Sequence, residues 1–190
     1  MFVKNPLSAT RRKTTTAGLL LNVGLIVMLS AVQPKSTHAA GQLSAGIQYF
    51  MPPVEPGDAD QSGGAVTFRF EYHIDYFWRW FAETGYAVSV IESSDTDVRH
   101  WMIAATGVRY NLDIGTLSPY GEAGVVGYMT ENEQGSAVAN VGIGIGVGLE
   151  WTVLGPWSIT ADGRYVILPI SIDNIPTGIT ISIRAGWNFQ

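Results

Sequence analysis

The chain has 190 residues, of which 46% are hydrophobic and 14% charged, and it contains 22 glycines and no cysteine. This size suits one domain, and the lack of cysteine excludes a lipid-anchored lipoprotein. All three lysines precede residue 40 and all sixteen acids follow it, so residues 40–190 carry six arginines and a net charge of −10. Nucleic acid is thereby excluded as a partner, because contacts to phosphates require basic patches.

Residues 1–39 have the organisation of a secretory signal peptide. Basic residues occupy positions 4 and 11–13, an apolar stretch covers 19–32, and Thr37-His38-Ala39 offers small residues around a cleavage site. The apolar stretch of 14 residues is shorter than the roughly 20 that a membrane-spanning helix needs. We therefore predict cleavage near Ala39, rather than an uncleaved anchor, and a single domain over residues 40–190.

From residue 41 onward the hydrophobic pattern has a period of two, which is typical of β-strands, and no helical period follows. In chain order, the alternating segments are 43–51, 66–74, 80–90, 102–110, 121–129, 141–151, 157–167 and 179–189. Longer polar connections alternate with tight turns: 52–64, near 75–77, 91–98, 111–116, 130–137, 153–156 and 169–177. This rhythm predicts antiparallel strands that run up and down.

The sixth segment has the most informative pattern. Bulky apolar residues alternate there with glycines, before a final charge and an aromatic residue: Val141-Gly142-Ile143-Gly144-Ile145-Gly146-Val147-Gly148-Leu149-Glu150-Trp151. In a strand, one face is then a continuous apolar ribbon and the other is almost bare. The glycines make room for larger neighbours, with Tyr120, Tyr128 and Arg164 as candidates. Alternatively, the four glycines line a lumenal cavity: Gly142, Gly144, Gly146 and Gly148.

The side-chain volume of each face indicates which face of the predicted sheet lies inside the barrel. The apolar set holds most of the aromatic residues and is too bulky for an eight-stranded interior, whereas the other set is mostly small residues with a few charges. An outward apolar face requires lipid, and strands cross lipid only as a closed barrel. We therefore predict an all-β, eight-stranded antiparallel up-and-down transmembrane β-barrel. Aromatic residues near strand ends would form its interfacial girdle: Tyr72, Trp80, Tyr110, Trp151, Trp157, Trp187 and Phe189.

The inward set contains charges that need partners. Buried charges are tolerated when they are paired and hydrogen-bonded. We predict a structural ion-pair network of four arginines and five acids, with His73 as a further member: Arg69, Glu71, Glu83, Arg109, Glu122, Glu150, Asp162, Arg164 and Arg184. Such a network would fill the lumen as a polar plug.

Three segments carry a resemblance to a known family: 107–111 (GVRYN), 118–124 (SPYGEAG) and 183–189 (IRAGWNF). Through them the chain resembles the small outer-membrane β-barrel proteins of Gram-negative bacteria, the group of OmpX- and OmpA-type barrels and opacity-like proteins. One departure is Gln190, because such proteins usually end on the aromatic residue itself. The resemblance implies a monomer in the outer membrane, contact with lipid and lipopolysaccharide, and insertion by the barrel-assembly machinery.

Signals for chemistry are sparse. After residue 40 the histidines are His73 and His100, and neither lies beside a serine in a recognisable hydrolase motif. No cluster of His and Cys indicates a metal site, and no cofactor is predicted. Nine of the sixteen acids fall in the longer connections. There they form a solvated face, bridge to lipopolysaccharide through divalent cations, or contact a basic partner.

These observations leave three hypotheses for function. The leading one is a non-enzymatic barrel that serves envelope integrity or surface interaction, with no catalytic or metal-binding residues. The first alternative is an outer-membrane enzyme that modifies lipid A, because small barrels with that activity exist. The second alternative is a narrow conduit or a binder of a small lumenal ligand, although eight strands leave no aqueous channel once side chains fill them.

Overall fold

The computed structural model describes residues 41–54, 61–91, 98–112, 114–131, 137–168 and 175–189. The predicted signal segment, residues 1–39, lies outside this part of the chain. The described residues form eight strands: β1 (Gly41–Val54), β2 (Gln61–His73), β3 (Trp78–Ile91), β4 (Val98–Asn111), β5 (Leu117–Glu131), β6 (Ala137–Leu154), β7 (Trp157–Ile167) and β8 (Thr177–Phe189). No helix in the described ranges is long and apolar enough to cross a membrane.

The strands close into a barrel in which each pairs with its sequence neighbours and β8 pairs with β1, always antiparallel. Directly paired residues can be followed once around the barrel: Gly41, Tyr72, Trp80, Val108, Ala123, Ile145, Tyr165, Ile179 and Met51. The circuit returns to β1 ten residues beyond its start. This stagger tilts the strands against the barrel axis. The predicted fold class is confirmed.

Three short turns lie at one end of the barrel, which we call the turn end; their described residues are 74–77, 112, 114–116 and 155–156. In the first turn the Asp75 carboxylate accepts hydrogen bonds from the backbone N–H groups of Phe77 (2.8 Å) and Trp78 (2.7 Å). The other two turns contain Gly115 (φ +68°) and Gly155 (φ +58°), in the left-handed region that favours glycine. The opposite end of the barrel is formed by the strand ends that flank the longer connections in the sequence, and we call it the loop end.

The two faces of the sheet differ as the alternation predicts. In β8, for example, Ile179, Ile181 and Ile183 are exposed on the outside. Thr180, Ser182 and Arg184 alternate with them and are buried in the lumen. Across the described strands, the one outward side chain that carries a formal charge is Glu131, at the loop end of β5. An outward surface of this kind suits hydrocarbon, where a midplane charge costs roughly 2–4 kcal/mol.

The structure places all seven residues of the predicted girdle at the turn end, facing outward. Two neighbours missed in the sequence extend this aromatic belt. Trp78 contacts Tyr110 with ring centroids 5.0 Å apart, and Phe70 lies 6.1 Å from Trp80. Three further tyrosines face outward in the half of the barrel nearer the loop end: Tyr49, Tyr86 and Tyr165.

Candidate functional site

Charged side chains fill the half of the lumen nearest the turn end. Strands β2 to β8 contribute them, because inward positions alternate along each strand and the stagger brings these positions to one level. We call the ten residues the ion-pair layer: Arg69, Glu71, Arg79, Glu83, Arg109, Glu122, Glu150, Asp162, Arg164 and Arg184. All except Arg79 are buried.

Arg69 lies at the centre of the layer. Its guanidinium group lies 2.8 Å from Glu71, 3.4 Å from Glu83 and 2.7 Å from Glu122. On its other side, the guanidinium carbon lies 3.9 Å from the centre of the Phe81 ring. Three carboxylates and an aromatic face thus replace the water that this cation loses on burial.

Arg164 and Arg184 extend the layer across the barrel to β3. Arg164 donates to Glu83 at 2.9 Å and to Glu122 at 2.7 Å. Arg184 lies 3.5 Å from Glu83 and forms a close ion pair with Asp162. Glu83 of β3 therefore contacts Arg164 of β7 and Arg184 of β8 in addition to Arg69. These contacts link opposite sides of the lumen.

The turn-end edge of the layer contains a fifth arginine that we did not predict. Arg79 lies 2.9 Å from Glu150 and 3.4 Å from Glu71. Arg109 contacts the same two carboxylates, with 2.9 Å to Glu71 and a close pair with Glu150. The predicted balance of four arginines against five acids is therefore wrong, since the described layer holds five of each. Register could have identified Arg79, which faces inward opposite His73.

Neutral polar groups hold the carboxylates in position. Gln42 donates to Glu150 (3.1 Å) and to Ser158 (2.7 Å), while the Tyr120 hydroxyl donates to Asp162 (3.2 Å). The Tyr120 ring also lies 3.5 Å below the guanidinium carbon of Arg109. The layer is therefore hydrogen-bonded beyond its ion pairs, which is the condition for keeping buried charges.

The two histidines lie outside this network. His73 Nε2 is buried and has no hydrogen-bond partner within the described residues, so the expectation that His73 joins the network is wrong. His100 faces outward, and its Nδ1 lies 2.6 Å from the Tyr86 hydroxyl. In the described part of the chain neither histidine has a hydrogen bond to a serine, and no three His, Cys, Asp or Glu side chains are grouped to hold a metal ion.

Larger side chains occupy the space beside the four glycines of β6. A Cβ atom on Gly148 would lie 2.4 Å from Tyr120 Cζ, and one on Gly146 would lie 3.1 Å from Glu122 Cγ. The nearest side chains at the other two positions are Val126 and Arg164 at Gly144, and Leu168 at Gly142. This geometry fits glycines as spacers. Two of the predicted fillers, Tyr120 and Arg164, lie against them.

Apolar side chains predominate in the half of the lumen nearest the loop end, beside a few buried polar ones such as Gln61 and Ser89, whereas the prediction was a polar plug. Phe50, Trp101 and Tyr128 contact one another, with ring centroids 5.8 to 6.5 Å apart. Smaller side chains complete this apolar layer: Ala65, Ala87, Ile103, Ala105, Val126, Val166 and Leu168. Phe81 belongs to the same cluster and joins it to the ion-pair layer beneath. Packed side chains therefore occupy both halves of the lumen.

Solved structures share this architecture. OprG from Pseudomonas aeruginosa has a TM-score of 0.61 and 10% identity, over 80% of this chain and 96% of that one. Ail from Yersinia pestis has a TM-score of 0.55 and 16% identity, over 80% and 100%. The N-terminal β-barrel domain of Pseudomonas aeruginosa OprF has a TM-score of 0.54 and 17% identity, over 80% and 97%. At these identities the likeness shows the fold alone.

No curated protein sequence matches the chain. The model of the outer membrane protein beta-barrel domain family, however, matches residues 23–189. This match covers every described strand, including the aromatic end of β8. The chain therefore belongs to the outer membrane protein beta-barrel domain family and is a protein of the bacterial outer membrane.

Proposed function

We propose that this protein is a non-enzymatic, monomeric barrel that supports envelope integrity or mediates interaction at the cell surface. One observation carries the proposal: the lumen is occupied along its length, by the ion-pair layer near the turn end and the apolar layer near the loop end. A barrel filled in this way offers no route for solutes. Its activity then resides in its outer face and its connections.

The distribution of charge indicates which surface acts. The ion-pair layer balances five arginines with five acids, so it contributes no net charge. Nine of the other eleven acids fall in the longer connections, which lie outside the described residues except for Glu131. An anionic loop end suits divalent cations that bridge to lipopolysaccharide phosphates, or a basic surface partner.

Two mutant strains separate envelope integrity from surface interaction. In one strain the whole gene is removed, and in the other residues 55–60, 92–97 and 132–136 are replaced by Gly/Ser segments of equal length. Loss of envelope integrity is measured as sensitivity to detergent and to large antibiotics. If only the full deletion is sensitive, the barrel itself supports the envelope. If both are sensitive, the anionic connections do so, and if neither is, the integrity role is rejected.

Two measurements test the alternatives. Planar bilayers that contain the purified protein should show no discrete steps in ionic current. Discrete conductance steps would show that the barrel is a conduit. Mass spectrometry of lipid A should give the same acylation pattern with and without the protein, and an altered pattern would establish an enzyme.

N-terminal sequencing of protein from membranes should begin near residue 40, because we infer that the export signal at 1–39 is removed near Ala39.

A further inference from the structure

The turn end continues the apolar outer surface beyond the aromatic belt. Each of its turns contains or directly adjoins exposed apolar side chains, with Tyr76 exposed to 71%, Ile114 to 66%, and Leu154, the last residue of β6, to 79%. Leu112 in the second turn and Val153 at the end of β6 are also exposed and apolar. Short turns that face water are normally polar, so this composition indicates surroundings other than bulk water.

The described turn residues carry one charge. This is Asp75, whose carboxylate already accepts two backbone hydrogen bonds, from Phe77 and Trp78. A charge satisfied within its own turn loses less on partial dehydration than a charge that relies on water. The first turn is therefore compatible with an environment of low water content.

We propose that the three turns are immersed in the phospholipid leaflet at the turn end, at the boundary between headgroups and acyl chains. Two observations favour lipid over a protein partner. The apolar surface runs without interruption along the outside of β6, from Ile145 through Leu149 to Leu154, and so continues the lipid-facing side of the barrel. The turns also follow β2, β4 and β6 and are thus spread around the rim. A lipid leaflet surrounds such a rim, whereas a single partner would contact one side of it.

Single cysteines test this immersion cleanly, because the native chain has none. We would introduce Leu154→Cys and Ile114→Cys at the turn end and label each with an environment-sensitive fluorophore. Ile145→Cys, midway along the lipid-facing side of β6, serves as the control for lipid exposure. Glu131→Cys, exposed at the loop end, serves as the control for water exposure. The labelled proteins are placed in phosphatidylcholine nanodiscs, whose two faces are both open to buffer.

Two quenchers report the surroundings of each label, iodide in the buffer and a phospholipid with a nitroxide close to its headgroup. We expect labels at 154 and 114 to be quenched by the nitroxide lipid, and several-fold less by iodide than the label at 131. Iodide quenching equal to that at 131 would overturn the proposal and leave the turns in water. Protection from both quenchers would also overturn it, because it would indicate contact with another protein copy.

Discussion

Replacing Glu83 by glutamine tests whether the ion-pair layer holds the barrel together. The Glu83 carboxylate lies 2.9 Å from Arg164, 3.4 Å from Arg69 and 3.5 Å from Arg184. Glutamine keeps the volume but removes the charge, so the layer would hold five arginines and four acids. Whichever way the amide turns, its NH2 group faces an arginine donor, since both oxygens of Glu83 accept from Arg164.

Glu83→Gln removes one partner of a buried ion pair and leaves the other charged, so we expect it to lower the free energy of unfolding by about 3–5 kcal/mol. Glu131→Gln is the matched control, because Glu131 is exposed at the loop end of β5. Its effect should stay within about 0.5 kcal/mol, as at other surface sites. Glu83→Gln combined with Arg164→Gln restores four charges of each sign. That double variant should lose about 0.5–3 kcal/mol less than the sum of the two single variants.

Equilibrium unfolding in guanidinium, followed by tryptophan fluorescence in phospholipid vesicles, measures these differences. The heat-dependent shift of the folded barrel on detergent gels gives a second, independent reading. A cost below about 1 kcal/mol for Glu83→Gln, the range of an exposed ion pair, would show that the ion-pair layer does not hold the barrel together. A double variant that loses the full sum would show that Glu83 and Arg164 are energetically independent.

Three further substitutions, the first with a matched control, test the other contacts in the lumen. Gly148→Ala should cost about 1–3 kcal/mol, since its Cβ would meet Tyr120 at 2.4 Å, while Gly64→Ala, with open space around it, should be nearly neutral by thermal unfolding. Phe50→Ala, at a fully buried site of the apolar layer, should cost about 3–5 kcal/mol in the guanidinium assay. Arg79→Gln should cost about 1.5–3 kcal/mol, less than Glu83→Gln, because Arg109 still neutralises both partners of Arg79; an equal or larger loss contradicts that ranking.

The strands and their faces could be predicted because alternation is a local property of the sequence. In β7 and β8 the buried positions alternate almost without exception. Turn lengths then order the strands, since tight turns can only join neighbours. What alternation could not supply is the level at which an inward side chain lies, because the stagger around the barrel sets that level and pairing determines the stagger.

The ion pairs illustrate this limit. Arg184 and Glu83 are 101 residues apart in sequence, and Arg164 and Glu83 are 81 apart. The sequence shows which charged side chains face the lumen, but it does not show which of them pair with one another. Arg79 was missed because it lies at the second position of β3, where a charge near a turn is more often solvated.

The apolar layer was missed because volume was considered for the whole barrel and not level by level. Inward aromatic residues fit where the strand across from them carries glycine or alanine. Phe50 and Trp101 belong to the same buried cluster as Ala65 and Ala87, while β6 supplies four successive glycines along the middle of its inward face. The bare face of β6 thus allows an eight-stranded lumen to hold large rings as well as arginines.

The charges of residues 40–190 fall into three regions that differ in how well they tolerate an unpaired charge: the lumen, the lipid-facing side, and the turns with the longer connections. The ion-pair layer takes five of the six arginines and matches them with five acids, so charge enters it only in pairs. The lipid-facing side of the described strands takes none apart from Glu131 at its rim. The net charge of −10 therefore falls entirely on the turns, the longer connections and their flanks. A charge-changing substitution should accordingly weaken folding in the first two regions and alter surface interaction in the third.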